Sequence, residues 1–295
     1  MNDEIFWKYP DAIVSCEWLN KNLNNPDIRI YDCTTYLHYR DKDPSLPYIV
    51  ESGKEKYELS HIPNSSFLDL QYQLSDQEST YRFTLPSLDK LAASFEKLGV
   101  GDPFHIILYS RNGSQWSARL WWMLRAVGFD KVSILDGGFN EWERLGFITS
   151  NVNFSFPVSN LTFLPRDDIF VNKDMVKKAI NDNGTKILNS LTSDIHSGNN
   201  PRYGRRGRIP NSLNIPFHEL LDSKSGKFKN IKELSKLFFD KNIFKNHKVL
   251  NYCGGGIAAS LEAFVLYQLG FEDIMIYDNS LSEWAIDENL PIEKD

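Results

Sequence analysis

The sequence predicts an α/β protein built from two tandem domains, each a parallel sheet with helices on both faces. Two observations carry that prediction. Sequence elements recur at a spacing of 142 to 147 residues, and within each repeat short apolar runs alternate with longer segments of helical periodicity. A chain of 295 residues, 41% hydrophobic and 24% charged, carries enough apolar material for two cores.

The repeat is read residue by residue. Ile62-Pro63-Asn64-Ser65 returns as Ile209-Pro210-Asn211-Ser212, and Tyr109-Ser110 returns as Tyr252-Cys253. Gly128-Phe129-Asp130 reappears as Gly270-Phe271-Glu272, Asp136 as Asp278, and Glu141-Trp142 as Glu283-Trp284. A unit this long is a duplicated domain rather than a solenoid repeat. Domains are expected over residues 1–148 and 166–295, joined by a connector at 149–165. In that connector Phe154 and Phe156 alternate with polar residues, the pattern of an extended segment whose rings seek burial.

In the first half, strands are expected over 104–109 and 131–135. Between them a helix over 117–127 is stopped by Gly128. In the second half, 186–189, 247–252 and 272–278 read as buried strands, and 257–269 as a helix stopped by Gly270. Such strand and helix alternation implies a parallel sheet covered on both faces.

Thirty-three Lys+Arg against 39 Asp+Glu give a net charge of −6, and no long basic run is present. This argues against a nucleic-acid partner, whose phosphates would need cations. No apolar run reaches the roughly 18–20 residues that span a bilayer, so no membrane association is expected. The polar start MNDEIFWKYP lacks the features of a secretory signal. Cys16, Cys33 and Cys253 are too few and too scattered for a disulfide framework or a metal site. A cytoplasmic protein without metal or organic cofactor is the expectation.

The candidate nucleophile is Cys253. It ends a predicted strand and precedes Gly254, Gly255 and Gly256, with Ile257 and Ala258 opening a helix. Glycines leave backbone amides unshielded around a small concavity, and a helix N-terminus favours an anion there. A thiolate so placed is stabilised and becomes a usable nucleophile.

Here the sequence resembles the tandem-domain rhodaneses, the thiosulfate and 3-mercaptopyruvate sulfurtransferases, over nearly its whole length. The stretch from Ser117 to Gly128, then Leu135-Asp136-Gly137-Gly138 and Trp142, is similar to the first-domain signature. His61-Ile62-Pro63-Asn64-Ser65 is similar to the HIPGA element, and Cys253-Gly254-Gly255-Gly256-Ile257-Ala258 stands at the active-site loop. Ser110 takes the Cys position of the first domain, so the resemblance implies one catalytic half and one scaffold half. It further implies transfer of a sulfane sulfur from a small donor (3-mercaptopyruvate or thiosulfate) through a Cys253 persulfide to a thiophilic acceptor. That acceptor is cyanide, a small thiol or a thioredoxin-like protein thiol. A persulfide carrier with little small-donor turnover is the alternative. A phosphatase use of the loop is excluded, because it needs Arg six residues after the Cys, where Ala259 stands.

The resemblance breaks at the substrate. The mercaptopyruvate branch has a loop Ser at the position of Gly255, and its two substrate arginines correspond to Leu191 and Ser197. Four arginines between Arg202 and Arg208 lie nearby, and Arg202 and Arg208 are candidates to swing towards Cys253 and bind the anion. His61 is a candidate proton relay or a turn-stabilising residue. Cys33 is expected to be a semi-buried bystander rather than a resolving thiol, Cys16 a core residue, and Trp116, Trp121 and Trp122 packing residues rather than a ligand box.

Overall fold

The computed structural model describes residues 6–40 and 46–295; residues 1–5, part of the polar start read above, lie outside it. The first sheet consists of β1 (Ile13–Val14), β2 (Ile28–Asp32), β5 (Ser65–Phe67), β6 (His105–Tyr109) and β7 (Val132–Leu135). Between β2 and β5 an antiparallel hairpin, β3 (Thr35–Tyr39) and β4 (Tyr48–Ser52), stands apart from the sheet. The second sheet consists of β8 (Phe170–Val171), β9 (Thr185–Asn189), β10 (Leu213–Asn214), β11 (Lys248–Tyr252) and β12 (Ile274–Tyr277).

Both sheets are parallel throughout. The first runs β1-β7-β6-β2-β5 and the second β8-β12-β11-β9-β10, which is one strand order used twice. The repeat seen in the sequence is therefore a repeat of topology. Central strands β2, β6, β7 and β11 are buried nearly end to end, as expected for strands covered on both faces. The β3–β4 hairpin has no counterpart in the second half.

The domains meet along two helices, Gln115–Ala126 and Ile257–Gln268, which follow equivalent strands β6 and β11. All residues of the second helix except Tyr267 are buried, as befits a helix that is apolar on every side. Trp121 packs edge-on against Phe264 at 4.9 Å, and the Trp122 indole donates to the Ser260 carbonyl at 3.0 Å. One apolar core runs continuously through both halves. Trp121 and Trp122 are thus interdomain packing residues, as expected.

Each domain also lends the other a covering segment. Residues 79–85 reach over the second domain, where the Leu85 amide donates to Asp278 Oδ2 at 2.7 Å and Thr84 Oγ1 to Asn279 Oδ1 at 2.9 Å. Reciprocally, the Phe228 amide donates to Asp136 Oδ1 at 2.9 Å. Asp278 is also paired with the Arg119 guanidinium, which is fully buried and donates besides to the Phe83 carbonyl. The connector is extended and pinned by bridges from Ser150 to His61 and from Asn160 to Asp102. Phe156 packs on Tyr31 at 5.2 Å, but Phe154 remains 42% exposed, because it packs edge-on against Phe156 at the rim rather than entering the core. No helix among the described residues is long and apolar enough to cross a membrane.

Asp136 lacks an arginine of the kind that Asp278 has, and burial raises its carboxyl from the ordinary 3.8 to about 6. Its folded form therefore holds a proton more tightly than the unfolded chain does. That contribution to stability is complete below about pH 4 and is lost as pH rises to about 6. Asp136→Asn keeps an acceptor for the Phe228 amide while removing the ionisation. The variant is expected to match the wild type near pH 4 and to exceed it by about 3 kcal/mol at pH 7 in denaturant titrations; an unchanged pH slope contradicts the assignment.

Candidate active site

Cys253 lies at the carboxyl end of β11, where ligands bind in open α/β sheets, and its side chain is 2% exposed. The loop after it is clamped from the turn that follows β12. The amides of Cys253 and Gly256 donate to Ser280 Oγ at 3.0 and 3.2 Å, and Ser280 Oγ donates to the Tyr277 carbonyl at 2.7 Å. The carbonyls of Cys253 and Gly254 accept from the Leu281 and Ser282 amides at 3.0 and 2.9 Å. Among the described residues, the amides of Gly254 and Gly255 donate to nothing. Helix Ile257–Gln268 starts directly after Gly256, so the sulfur sits at its positive end.

The three glycines have distinct reasons. A methyl group on Gly254 would collide with the Tyr203 hydroxyl and ring. On Gly255 it would press on the Tyr48 hydroxyl at 3.1 Å. Gly256 has a φ of +75° and faces the Asp278 carbonyl and Arg119. From the sequence alone, the glycines are expected to leave backbone amides unshielded. The structure adds that two of them make room for tyrosines lying on the loop.

Cys253, Gly254, Gly255, Ile257 and Ala258 together line a cavity of about 220 Å³. Its other walls come from both domains: Leu37, Tyr39, Tyr48, Phe83, Asn112, Gln115 and Trp116 from the first, Leu191, Tyr203 and Phe217 from the second. Trp116 is therefore a cavity residue as well as a packing residue, a correction to the expectation that it only packs. Burial pushes the hydroxyls of Tyr48 and Tyr203 upward, so both remain protonated donors.

The arginines are arranged differently from expectation. Arg208 does not line the cavity. It pairs with Glu293 and Asp295 and donates to the His196 carbonyl, tying down the C-terminal tail. Arg205 likewise donates to the carbonyls of Trp284, Ala285, Asp287 and Leu290. Arg202 alone approaches the site, its guanidinium 3.9 Å from the centre of the Tyr39 ring. Leu191 lines the cavity and Ser197 does not.

His61 also stays outside. Fully buried, it places Nδ1 2.6 Å from the Tyr57 carbonyl and Nε2 3.1 Å from the Val152 carbonyl, stacked on the Tyr57 ring. It fixes the connector just as Arg208, at the equivalent position, fixes the tail. Both other thiols are buried: Cys33 donates to the Tyr109 carbonyl at 2.9 Å, and burial pushes Cys16 up to about 12. Ser110 Oγ, the counterpart of Cys253, donates to the Gly113 carbonyl at 2.6 Å. No group of three or more metal-ligating side chains occurs among the described residues.

A Rhodanese-like domain model matches residues 15–145 and again residues 172–287. The chain belongs to the rhodanese family. This rhodanese is 31% identical over 283 residues to the 3-mercaptopyruvate sulfurtransferase of Homo sapiens, covering 92% of this chain and 91% of that one. It is 30% identical over 306 residues to the thiosulfate/3-mercaptopyruvate sulfurtransferase 2 of Arabidopsis thaliana, covering 96% and 86%. The crystal structure of the 3-mercaptopyruvate sulfotransferase SseA from Escherichia coli superposes with a TM-score of 0.76 at 27% identity, over 91% of this chain and 98% of that one. With these relatives, the protein is a sulfurtransferase.

The loop is legible in the sequence, but Tyr39, Tyr48 and Phe83 are not. They stand 170 to 214 residues before Cys253, and no local pattern marks them as its neighbours. Replacing Gly254 by Ala is expected to cost about 1–3 kcal/mol in denaturant titrations, the usual penalty for overpacking. In a Tyr203→Ala background the same change is expected to cost little, and equal cost in both backgrounds contradicts the assigned contact.

Proposed function

We propose that this sulfurtransferase carries its sulfur on Cys253. The thiolate attacks the outer sulfur of a small donor. With thiosulfate the S–S bond breaks and sulfite leaves with its electron pair. With 3-mercaptopyruvate the C–S bond breaks and the carbon takes up a proton, giving pyruvate. A thiophilic acceptor, whether cyanide, a small thiol or a thioredoxin-like protein thiol, then removes the outer sulfur and restores the thiolate.

The single observation that carries this reading is the position of Cys253, at a strand end, beneath unpaired loop amides and against a helix N-terminus. Those amides, with Gly256 to Ala258 completing the turn, suit the anionic outer sulfur of a persulfide in the manner of an oxyanion hole. Ser110, in the equivalent place of the first domain, is a far weaker nucleophile than a thiolate. A cytoplasmic setting belongs to this reading and accords with three unpaired cysteines.

The alternative of a persulfide carrier with little small-donor turnover is favoured by one observation: among the described residues, no Lys, Arg or His side chain lines the cavity. Small anionic donors therefore meet no counter-charge on the described walls, and Arg202, over the Tyr39 ring, is a candidate for one. Mass spectrometry after incubation with thiosulfate or 3-mercaptopyruvate tests both readings. A one-sulfur adduct on Cys253, absent from Cys253→Ser, is expected. Turnover with cyanide or a thiol supports the transferase, an adduct without turnover supports the carrier, and no adduct with either donor overturns both.

A further inference from the structure

The walls of the cavity describe what the sulfur is passed to. Six of its fifteen lining residues are aromatic: Tyr39, Tyr48, Phe83, Trp116, Tyr203 and Phe217. Most of these rings form one connected set. Tyr48 meets Tyr39 edge-on at 6.4 Å, Tyr203 edge-on at 6.4 Å and Phe83 nearly parallel at 6.2 Å, while Phe83 meets Trp116 edge-on at 5.6 Å. Leu37, Leu191, Ile257 and Ala258 fill the gaps between them. A charged acceptor entering here would shed its hydration and find no opposite charge among the described wall residues. An aromatic ring would instead gain edge and face contacts of the kind the walls already make with one another.

Polar side chains are few: beside the two tyrosine hydroxyls and the Trp116 indole stand Asn112 and Gln115, and the buried Gln115 Oε1 accepts from nothing among the described residues. Burial keeps the hydroxyls of Tyr48 and Tyr203 protonated beside the loop. Trp116 is 2% exposed, and its indole N–H has no partner among the described residues. Buried donors of this kind are normally satisfied, so an acceptor atom carried by a bound molecule would complete the wall. The cavity is also smaller than the roughly 300–1,000 Å³ typical of drug-sized ligands, room for one ring with short substituents.

We propose that the outer sulfur of the Cys253 persulfide is passed in this cavity to a small aromatic thiol. The inference rests on the persulfide reading given above. In the step, the acceptor thiolate attacks the outer sulfur and forms a new S–S bond. The bond between that sulfur and Cys253 Sγ breaks, and its electron pair returns to Cys253 as thiolate. The proton of the acceptor thiol goes to solvent. No oxidant or reductant is consumed.

The test starts from protein loaded with one sulfur by inorganic polysulfide and verified by intact mass. Single-turnover loss of that sulfur is measured with thiophenol and with mercaptoacetate. Each rate is divided by the rate of the same thiol with free glutathione persulfide, which removes intrinsic nucleophilicity. The normalised rate is expected to favour thiophenol by about tenfold or more, the equivalent of two ring contacts. Trp116→Leu is expected to bring the ratio towards one. Because that indole is buried and its loss can disturb folding, Tyr39→Leu serves as the second variant: Tyr39 is 50% exposed, and its replacement is expected to lower the ratio in a folded protein. Loading without an aromatic preference, or a preference untouched by Tyr39→Leu, overturns this inference alone. If Cys253 takes up no sulfur, the persulfide reading falls with it.

Discussion

The guanidinium of Arg119 is shut away from solvent between the two domains, paired with Asp278 and donating to the Phe83 carbonyl, with the Phe170 ring 4.5 Å from its centre. A buried cation is costly unless its partners are held in place. Here the partners come from opposite halves of the chain, so satisfying the charge requires the halves to dock in one register. The same contact holds residues 79–85 over the second domain, and that segment puts Phe83 against Gly255. The cavity around Cys253 therefore depends on an ion pair that touches neither the sulfur nor the cavity interior.

Duplication explains the symmetry of this arrangement, and divergence explains its direction. Asp136 and Asp278 occupy equivalent positions, and each accepts an amide from the segment that the other domain sends across. At the position equivalent to Arg119 stands Leu261, which is fully buried. One half thus has a cation beneath its covering segment, and the other an apolar side chain. The nucleophile follows the cation: Cys253 lies in the loop beside Arg119, whereas Ser110 donates its hydroxyl to its own loop. The β3–β4 hairpin, present only in the first half, completes the asymmetry by supplying Tyr39 and Tyr48 to the cavity.

What could be read from the sequence is what depends on local pattern. The buried strands, the glycine stops at Gly128 and Gly270, the repeat and the Cys253 loop all follow from residues close together in the chain, and the strand order of one half foretells that of the other. The cavity walls were not legible in this way. Tyr39, Tyr48 and Phe83 reach Cys253 only through the docking of two domains, and tyrosines in a hairpin look the same whether they face solvent or a thiol. The arginines between Arg202 and Arg208 misled for the opposite reason. Their density suggested anion binding, yet Arg205 and Arg208 satisfy carbonyls and carboxylates of the C-terminal tail, a demand that appears only once the tail is folded back.

The claim on which the rest stands is that the interdomain ion pair builds and closes the Cys253 site. Alkylation by iodoacetamide measures it directly, since Cys16 and Cys33 are fully buried elsewhere and report on global unfolding. In Arg119→Met, the rate at Cys253 is predicted to rise by about tenfold or more, as expected when local opening becomes easier by some 1.4 kcal/mol, while Cys16 and Cys33 stay protected. An unchanged Cys253 rate in a folded Arg119→Met protein would contradict the account.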